Sequence, residues 1–278
     1  MKSQSSARSA ALAAGSEPPL VRENIGSIAV LTLNRAQARN TLSEAVLAAL
    51  REELASLASD KRIRAVVLAA NGPAFCAGHD LKELTAHRTE ADGGRSYTRH
   101  IMESCSAMML ALLRLPQPVI AAVEATATAA GCQLVATCDL AVASTTARFC
   151  TPGVHIGLFC STPMVALSRN VTRKHAMEML LTGDMVSAEE AWRFGLVNRV
   201  VEPGMARAEA LKLARKIAAK SAAAVKFGKE AFYRQLEMGV TDAYDYAIEV
   251  MVRNMMAHDA EEGISAFVEK RTPTWEDR

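Results

Sequence analysis

Aromatic side chains and any excess of charge are scarce in this sequence. Of the 278 residues only 5% are aromatic whereas 50% are hydrophobic, so the core must be packed mainly by aliphatic side chains. Lys and Arg number 32 against 30 Asp and Glu, which gives a net charge of +2. Runs of about five or six like charges, which are typical of nucleic-acid or membrane surfaces, do not occur. We therefore expect a globular protein without a nucleic-acid or membrane partner.

Long apolar runs and paired cysteine motifs are also missing. No stretch approaches the roughly 18 residues needed to cross a bilayer, and no signal-peptide hydrophobic region precedes the first strand. None of the six cysteines belongs to a Cys-x-x-Cys pair, so free thiols in a reducing compartment are expected. These features predict a soluble, cytoplasmic protein.

The composition of residues 1–19 is also compatible with a cellular compartment other than the cytoplasm. The segment is rich in Ser and Ala, carries Lys2 and Arg8, and has no acidic residue before Glu17. Such a composition is typical of a mitochondrial transit segment, which would place the protein in the mitochondrial matrix. A flexible N-terminal tail is the favoured interpretation, because no arginine-rich amphipathic face forms.

Several motifs that bind cofactors or carry catalysis are absent. The sequence contains neither G-x-x-x-x-G-K-[ST] nor G-x-G-x-x-G, the two glycine-rich phosphate-binding loops. It also lacks the G-x-S-x-G turn that carries the nucleophile of α/β hydrolases. The six histidines include no H-E-x-x-H or similar metal-ligand spacing. We therefore expect neither a cofactor nor a metal site.

Short apolar runs alternate with helical patterns along the first part of the chain. The runs predict buried strands at residues 28–33, 64–70, 119–123, 140–143 and 148–150, and the three- and four-residue spacing predicts helices between them. Beyond residue 162 the strand signals nearly vanish and helical periodicity prevails. This order indicates an α/β class. We predict a tail at 1–19, a core at 20–204 and a C-terminal helical segment at 205–278.

Two junctions between a loop and a helix are candidates for a functional site. One spans residues 73–83 and the other residues 120–134, and each follows a buried strand. Backbone N–H groups at a helix start have no intrahelical partner and lie at the positive end of the helix dipole, so they suit an anion or a developing oxyanion. On the spacing alone, tight turns packed by small residues explain the two segments equally well.

Both segments resemble motifs of the crotonase (enoyl-CoA hydratase/isomerase) superfamily. Residues 74–83, A-F-C-A-G-H-D-L-K-E, are similar to the family's A-F-x-A-G-x-D-x-K-E segment. Residues 118–134 resemble its second motif, with Glu124-Ala125 in place of the family's N-G and Ala129-Ala130-Gly131 in place of its three-glycine loop. They are followed by Cys138-Asp139-Leu140 for the family's C-D-x. The resemblance covers roughly residues 20–272, and residues 157–163 indicate one branch of the superfamily. It implies a spiral of β-β-α units with a C-terminal helical trimerisation segment, assembled as a homotrimer or as a hexamer of two trimers.

The resemblance also implies a site for an acyl-coenzyme A thioester, which is a substrate and not a cofactor. The thioester carbonyl oxygen would lie between the backbone N–H groups of His79 and Ala130, with the His79 imidazole as a bystander. The first motif would contact the substrate through Ala77, Asp80 and Lys82. Near the C-terminus, Lys270 and Arg271 would approach the nucleotide bound by a neighbouring subunit. A solvated helix end explains these two basic residues equally well.

The sequence departs from the family at the two positions where hydratases carry catalytic glutamates. Gln133 and Gly153 stand there, and neither an amide nor a glycine can serve as the acid or base that hydration requires. His155 and Ser161 are candidate substitutes, although His155 could also face away as a turn residue. Restoring both carboxylates by Gln133→Glu with Gly153→Glu is expected to raise hydration.

Three functions remain open on this basis. The first is an acyl-CoA enzyme of fatty acid metabolism with chemistry other than hydration, such as isomerisation, decarboxylation or thioester cleavage. The second is a catalytically reduced protein that binds acyl-CoA or acts as a scaffold. The third, and weakest, is a hydratase that uses Gln133 and Glu124 in a rearranged site.

Overall fold

A computed structural model describes residues 17–278 of the chain. The expected N-terminal tail or transit segment lies, up to residue 16, outside the described residues. In this part of the chain, ten strands form two sheets. The strands are β1 (Leu20–Ile25), β2 (Ile28–Leu33), β3 (Ala65–Ala70), β4 (Ala74–Cys76), β5 (Val119–Val123), β6 (Thr126–Thr128), β7 (Leu140–Ser144), β8 (Arg148–Cys150), β9 (Val186–Ser187) and β10 (Arg199–Val201).

From β3 to β8, successive strands alternate between the two sheets. The larger sheet has the order β1-β2-β3-β5-β7-β10, in which only the β1–β2 pair is antiparallel. The smaller sheet has the order β4-β6-β8-β9, in which only the β8–β9 pair is antiparallel. Each of the pairs β3–β4, β5–β6 and β7–β8 therefore gives one strand to each sheet before a helix follows. This is the predicted spiral of β-β-α units.

The described residues contain eleven α-helices, and three short 3-10 helices connect other elements. The α-helices are α1 (Glu44–Ser59), α2 (Leu81–Ala86), α3 (Arg95–Arg114), α4 (Ala130–Thr137), α5 (Pro163–Asn170), α6 (Arg173–Thr182), α7 (Ala188–Phe194), α8 (Ala206–Ala218), α9 (Ala222–Gln235), α10 (Val240–Met255) and α11 (His258–Glu269). No helix of residues 17–278 is both long and apolar enough to cross a membrane.

The composition of the central strands explains their position. β3 reads A-V-V-L-A-A and β5 reads V-I-A-A-V, and nearly every residue of both is buried because helices or the second sheet cover each face. The small sheet was not predicted as such. Its strands β4 and β6 have three residues each, and a strand of this length is too short to show an alternating pattern of apolar and polar residues. β10, also three residues long, was not predicted either.

Helix α8 lies on the large sheet, on the face opposite to the main core. Ala206, Ala210 and Ala214 repeat every four residues, are fully buried, and pack against strand residues such as Val67 and Ile120. The absence of larger side chains lets the helix approach the sheet closely. The division of the chain at residue 204 remains a prediction, and α8 follows that boundary directly.

The last three helices expose large apolar side chains. Val240, Met256 and Phe267 have 78%, 79% and 85% of their surface exposed, and further residues of α10 and α11 are similar. Many exposed large apolar side chains on neighbouring helices are rare on monomeric proteins and are typical of subunit contacts. The predicted trimerisation segment therefore has the surface that such a role needs, and the assembly itself remains a prediction.

Candidate functional site

The two predicted junctions lie against each other at one edge of the small sheet. Strands β4 and β6 pair in parallel, with Ala74 opposite Thr126, so the loops that follow them leave from the same edge. Gly78, with a φ of +91°, turns the first loop towards the second. A Cβ atom added to Gly78 would lie 2.9 Å from the Ala129 Cβ and 3.4 Å from the Ala130 nitrogen. The backbones of the two segments are therefore in contact.

This contact brings together the two expected backbone donors. Ala130 is the first residue of α4, so its N–H has no intrahelical acceptor. His79 directly follows Gly78, whose carbonyl accepts a hydrogen bond from the Leu42 N–H at 2.8 Å. Within residues 17–278 neither the His79 N–H nor the Ala130 N–H donates to another backbone group. The arrangement can bind one oxygen atom that carries partial or full negative charge.

Alanine replaces glycine at a strained position beside the donors. Ala129 has φ +50° and ψ −119°, in a region that non-glycine residues rarely adopt, and such strain costs about 1–3 kcal/mol. The next glycine is sterically required, because a Cβ on Gly131 would lie 2.1 Å from the Cys76 carbonyl oxygen. The two alanines of this loop are thus accommodated, one of them under strain, while Gly131 holds α4 close to β4.

Both ring nitrogens of the His79 imidazole are buried. Within residues 17–278 neither Nδ1 nor Nε2 makes a hydrogen bond of ordinary geometry, although the ring lies close to the Leu42 backbone. Burial lowers the pKa of the ring below its ordinary value near 6.5, so the imidazole is neutral around pH 7. The expectation that this side chain is a bystander remains untested.

Gln133 and Gly153 occupy surroundings that differ from each other. Gln133 follows Ala130 by three residues on α4, is only 6% exposed, and its Oε1 has no partner. Gly153 lies in the 3-10 helix Pro152–Ile156. A Cβ added to Gly153 would approach the Cys160 Sγ to 2.9 Å and the Leu158 carbonyl oxygen to 3.0 Å.

The expectation that Gly153→Glu restores a carboxylate is therefore corrected. A glutamate at this position has no room unless Cys160 and the backbone of Leu158 move. Cys160 fills this space, and no local pattern indicates the contact because seven residues separate Cys160 from Gly153.

His155 and Ser161 make hydrogen bonds to the loop backbone. The His155 Nε2 lies 2.8 Å from the carbonyl oxygen of Thr182, at the end of α6. The Ser161 hydroxyl donates to the Phe159 carbonyl at 3.3 Å. Both side chains are exposed, and His155 behaves as the turn residue of the alternative interpretation. Their part as substitutes for the missing carboxylates remains a prediction.

Glu124 is a helix cap, which corrects its proposed part in a rearranged hydratase. Its Oε1 accepts from the Ala206 N–H at 2.6 Å and from the Arg207 N–H at 3.4 Å, and its Oε2 accepts from the Gly204 N–H at 3.0 Å. A carboxylate at the N-terminus of α8 is stabilised by these donors and by the helix dipole. Both carboxylate oxygens of Glu124 are therefore bonded to backbone N–H groups at the start of α8.

The other residues of the first motif hold local structure. Asp80 caps α2, since its Oδ1 accepts from the Lys82 N–H at 3.1 Å and the Glu83 N–H at 3.4 Å. The Ala77 N–H donates to the Arg39 carbonyl at 3.1 Å. The Lys82 side chain is exposed and forms no ion pair within the described part of the chain. Contacts of these residues with a substrate remain expectations.

The two basic residues near the C-terminus differ in how they are engaged. Arg271 forms a two-pronged ion pair with Glu262, at 2.6 and 2.8 Å, and a second pair with Glu269. These carboxylates raise the pKa of the Arg271 guanidinium. Lys270 ends α11 in the left-handed conformation, with φ +57°, and makes no ion pair among residues 17–278. Lys270 is thus the more available of the two for a phosphate.

The cysteines are free and buried, as the sequence predicts. Burial raises the pKa of the Cys76 thiol to about 12 and that of the Cys150 thiol to about 11. At neutral pH these groups are therefore protonated and poor nucleophiles.

Known proteins share both the sequence and the fold of this chain. A family model described as enoyl-CoA hydratase/isomerase matches residues 23–278. The mitochondrial enoyl-CoA hydratase domain-containing protein 3 of Rattus norvegicus is 45% identical over 262 residues, which cover 94% of this chain and 85% of that protein. It is a member of the branch that residues 157–163 indicate.

Two solved structures show the same fold. The crystal structure of human enoyl-CoA hydratase domain-containing protein 3 has a TM-score of 0.88 and 44% identity, covering 92% of this chain and 100% of that one. The crystal structure of an enoyl-CoA hydratase from Mycobacterium smegmatis has a TM-score of 0.89 and 55% identity, and the match covers 93% of this chain and 99% of that one. The chain therefore belongs to the enoyl-CoA hydratase/isomerase family, within the crotonase superfamily.

Proposed function

We propose that this protein binds an acyl-CoA thioester, with the thioester carbonyl oxygen between the N–H groups of His79 and Ala130, and stabilises the enolate form of the acyl group. The observation that carries the proposal is the contact between Gly78 and the start of α4, where an added Cβ would lie 3.4 Å from the Ala130 nitrogen. The N–H groups of His79 and Ala130 flank this contact, and neither has a backbone acceptor among the described residues.

The chemistry follows from where charge develops. When a carbanion forms next to a thioester, negative charge moves onto the carbonyl oxygen, and fixed N–H donors stabilise it without having to reorganise. Removing one such donor typically costs about 2.7–4 kcal/mol of transition-state stabilisation. Because both donors belong to the backbone, the His79 and Ala130 side chains can vary without removing them.

Hydration is not part of the proposal. Adding water across a double bond needs a base to activate the water and an acid to deliver a proton to carbon. The Gln133 amide does neither at neutral pH, and Gly153 lacks both a side chain and the space for one. The proposed chemistry is thus one that depends on the oxyanion donors, such as isomerisation, decarboxylation or thioester cleavage.

A second candidate is binding of acyl-CoA without turnover. It is favoured by the positions of the possible substitutes, since His155 bonds to the Thr182 carbonyl and Glu124 caps α8. Incubation of micromolar protein with a panel of acyl-CoA thioesters, followed by mass spectrometry, separates the two candidates. Any change in acyl mass or release of free coenzyme A would support an enzyme.

The proposed setting of this activity is fatty acid metabolism in a homotrimer or hexamer. The exposed apolar side chains of α10 and α11 support the assembly. The name of the rat relative places that protein in mitochondria and favours the mitochondrial matrix over the cytoplasm for this chain.

Calorimetric titration with butyryl-CoA and with free coenzyme A tests the donor arrangement. Ala130→Pro removes one N–H at a helix position where proline is tolerated, so affinity for butyryl-CoA should fall by about tenfold or more. Free coenzyme A lacks the carbonyl, and its affinity should stay the same. Ala129→Gly is the matched control, because it keeps both donors and relieves the strain at φ +50°.

An equal loss for both ligands in Ala130→Pro would indicate a damaged fold. In that case the donor arrangement is tested with the intact protein and with Ala129→Gly, by comparing the affinity of each for butyryl-CoA with its affinity for free coenzyme A. Butyryl-CoA that binds no more tightly than free coenzyme A to the intact protein would overturn the proposal.

A further inference from the structure

The last helix, α11, has little apolar attachment to the rest of its own chain. Of the side chains on α10 and α11, only Val250, Asp259 and Ala266 are buried among the described residues. Asp259 carries a carboxylate, and the methyl group of an alanine contributes only a small apolar area. Phe267 and Val268 of α11 are instead largely exposed. Hydrophobic burial within the chain therefore contributes little to holding α11 in place.

The residues that follow α11 supply polar contacts instead, and residues 271–278 are here called the C-terminal strap. The buried carboxylate of Asp259, near the start of α11, accepts hydrogen bonds from the Glu276 N–H at 2.8 Å and the Asp277 N–H at 3.0 Å. The Asp259 N–H donates to the Arg278 carbonyl oxygen at 3.0 Å. The strap therefore folds back along α11 from the end of the helix to its start.

Trp275 holds the strap between α11 and the end of α8. A Cβ added to Gly263, in the middle of α11, would lie 3.1 Å from the Trp275 ring, so the indole packs directly against the backbone of this helix. The indole Nε1 donates to the Ala219 carbonyl oxygen at 3.0 Å, just beyond the end of α8. An indole suits this place, because its ring is apolar while its N–H needs a partner.

The strap also bonds to the junction between α8 and α9. The Asp277 Oδ1 accepts from the Ala222 N–H at 2.8 Å, and its Oδ2 pairs with Arg64, directly before β3. Arg64 in turn donates to the carbonyl oxygens of Ala218 and Lys220, at 3.1 and 3.2 Å. The Asp277 carboxylate therefore connects the strap to α9, to the junction and to the large sheet.

The Asp259 carboxylate keeps its charge although it is buried. Burial alone would raise the pKa of Asp259, yet hydrogen bonds from the Ser221 hydroxyl and from two N–H groups of the strap hold this pKa below its ordinary value. Hydrogen bonds to a charged acceptor are stronger than those to a neutral one. The strap and the start of α11 therefore hold each other in place.

We propose that the C-terminal strap is a latch, which when docked holds α11 against the junction between α8 and α9 and when released lets α11 leave as a unit while the core stays folded. Local opening of this kind is expected where few buried apolar contacts and many exposed hydrogen bonds hold an element. Only the latched state presents Phe267 and Val268 in one fixed orientation to a neighbouring subunit. The latch is independent of acyl-CoA binding.

Hydrogen exchange of the full chain, followed by mass spectrometry, tests the latch. Asp277→Gly removes the carboxylate and suits the left-handed backbone at φ +61°. Exchange of peptides from α11 should become about tenfold faster or more, as expected when hydrogen bonds to a charged group are lost. Peptides from β3 and β5 should keep their protection.

Glu276→Gly is the matched control, because it removes the same charge from the neighbouring position of the strap. Among the described residues the Glu276 side chain bonds only to Arg278, which also belongs to the strap. This variant keeps the N–H that Asp259 accepts from, so α11 should exchange nearly as in the intact protein. Asp277→Asn is a milder second variant, which removes only the charge and should give a smaller rise in the same peptides.

Subunit contacts would also protect α11, so each variant is measured a second time in combination with Phe267→Glu, which places a charge on the exposed apolar surface. Faster exchange confined to α11 and the strap in either background supports the latch. Unchanged exchange of α11 in both backgrounds would overturn it. An equal rise across α11, β3 and β5 would overturn it as well, because the strap would then stabilise the whole fold and not α11 alone.

Discussion

The Lys229 ammonium lies 2.7 Å from the Asp139 Oδ2 and joins helix α9 to the start of β7. The same oxygen accepts from the Val119 N–H at 2.7 Å, and the Asp139 Oδ1 accepts from the Tyr233 hydroxyl at 2.9 Å. Lys229 also donates to the carbonyl oxygens of Leu112 and Gln117. Both charged groups are thus fully hydrogen-bonded, and the pair fixes the first helix of the exposed C-terminal surface.

Breaking this pair should destabilise the chain strongly. Lys229→Met leaves the Asp139 carboxylate without its cation, and removal of one partner of a buried pair typically costs about 3–5 kcal/mol. Urea unfolding measures the loss. Tyr233→Phe is the control, since it removes one hydrogen bond and should cost about 1 kcal/mol. A loss below about 1 kcal/mol for Lys229→Met would show that α9 is held by other contacts.

The His79 imidazole should make stability depend on pH. Burial lowers the folded-state pKa of this ring below its ordinary value near 6.5. As the pH falls through that value, the unfolded chain therefore binds a proton that the folded chain resists, and stability decreases until the folded pKa is reached. Urea unfolding between about pH 8 and pH 5 should show a steeper loss for the intact protein than for His79→Asn. Identical profiles for the intact protein and His79→Asn would contradict a depressed pKa at this ring.

Hydration should be negligible in the intact protein and hard to restore. Each positioned acid or base typically contributes about 10²- to 10⁴-fold, and both are missing. The double change Gln133→Glu with Gly153→Glu should fail, because the added Cβ would lie 2.9 Å from the Cys160 Sγ. Adding Cys160→Ala removes that contact, and the Leu158 carbonyl oxygen, 3.0 Å from the added Cβ, then has to move by only a few tenths of an ångström. This triple variant should give measurable hydration of crotonyl-CoA, followed by the loss of enoyl absorbance.

The single change Cys160→Ala, without glutamates, controls for altered binding and should not hydrate. Robust hydration by the intact protein would require a catalytic group outside the two family positions, and His79 would be the first to test.

The C-terminal surface predicts the assembly. Side chains such as Val240, Met256 and Phe267 are largely exposed in the single chain, so their burial between subunits should stabilise an oligomer. Sedimentation should give a mass near three or six times 29.8 kDa. Phe267→Glu should weaken the assembly, whereas Lys82→Glu, exposed at the start of α2, should leave it intact. A monomer at micromolar concentration would refute the prediction.

How much the sequence predicts depends on whether the signal is local. The helix α1 and the strand β3 follow from apolar spacing within one segment. The donor positions come from motif resemblance. By contrast, Glu124 is only a departure from the family motif until its carboxylate is seen to cap a helix about 80 residues later in the chain. That contact is tertiary, so no local pattern contains it.

The backbone contact between Gly131 and the Cys76 carbonyl sets a limit on how the site can change in evolution or by design. A methyl group there would lie 2.1 Å from the carbonyl oxygen, so the change of two glycines to alanine in this loop cannot extend to the third. In a saturation-mutagenesis library scored for folded protein, position 131 should therefore accept glycine alone, whereas position 130 should accept several small residues. The site can lose its catalytic side chains and still keep its shape, because the shape depends on one missing carbon atom.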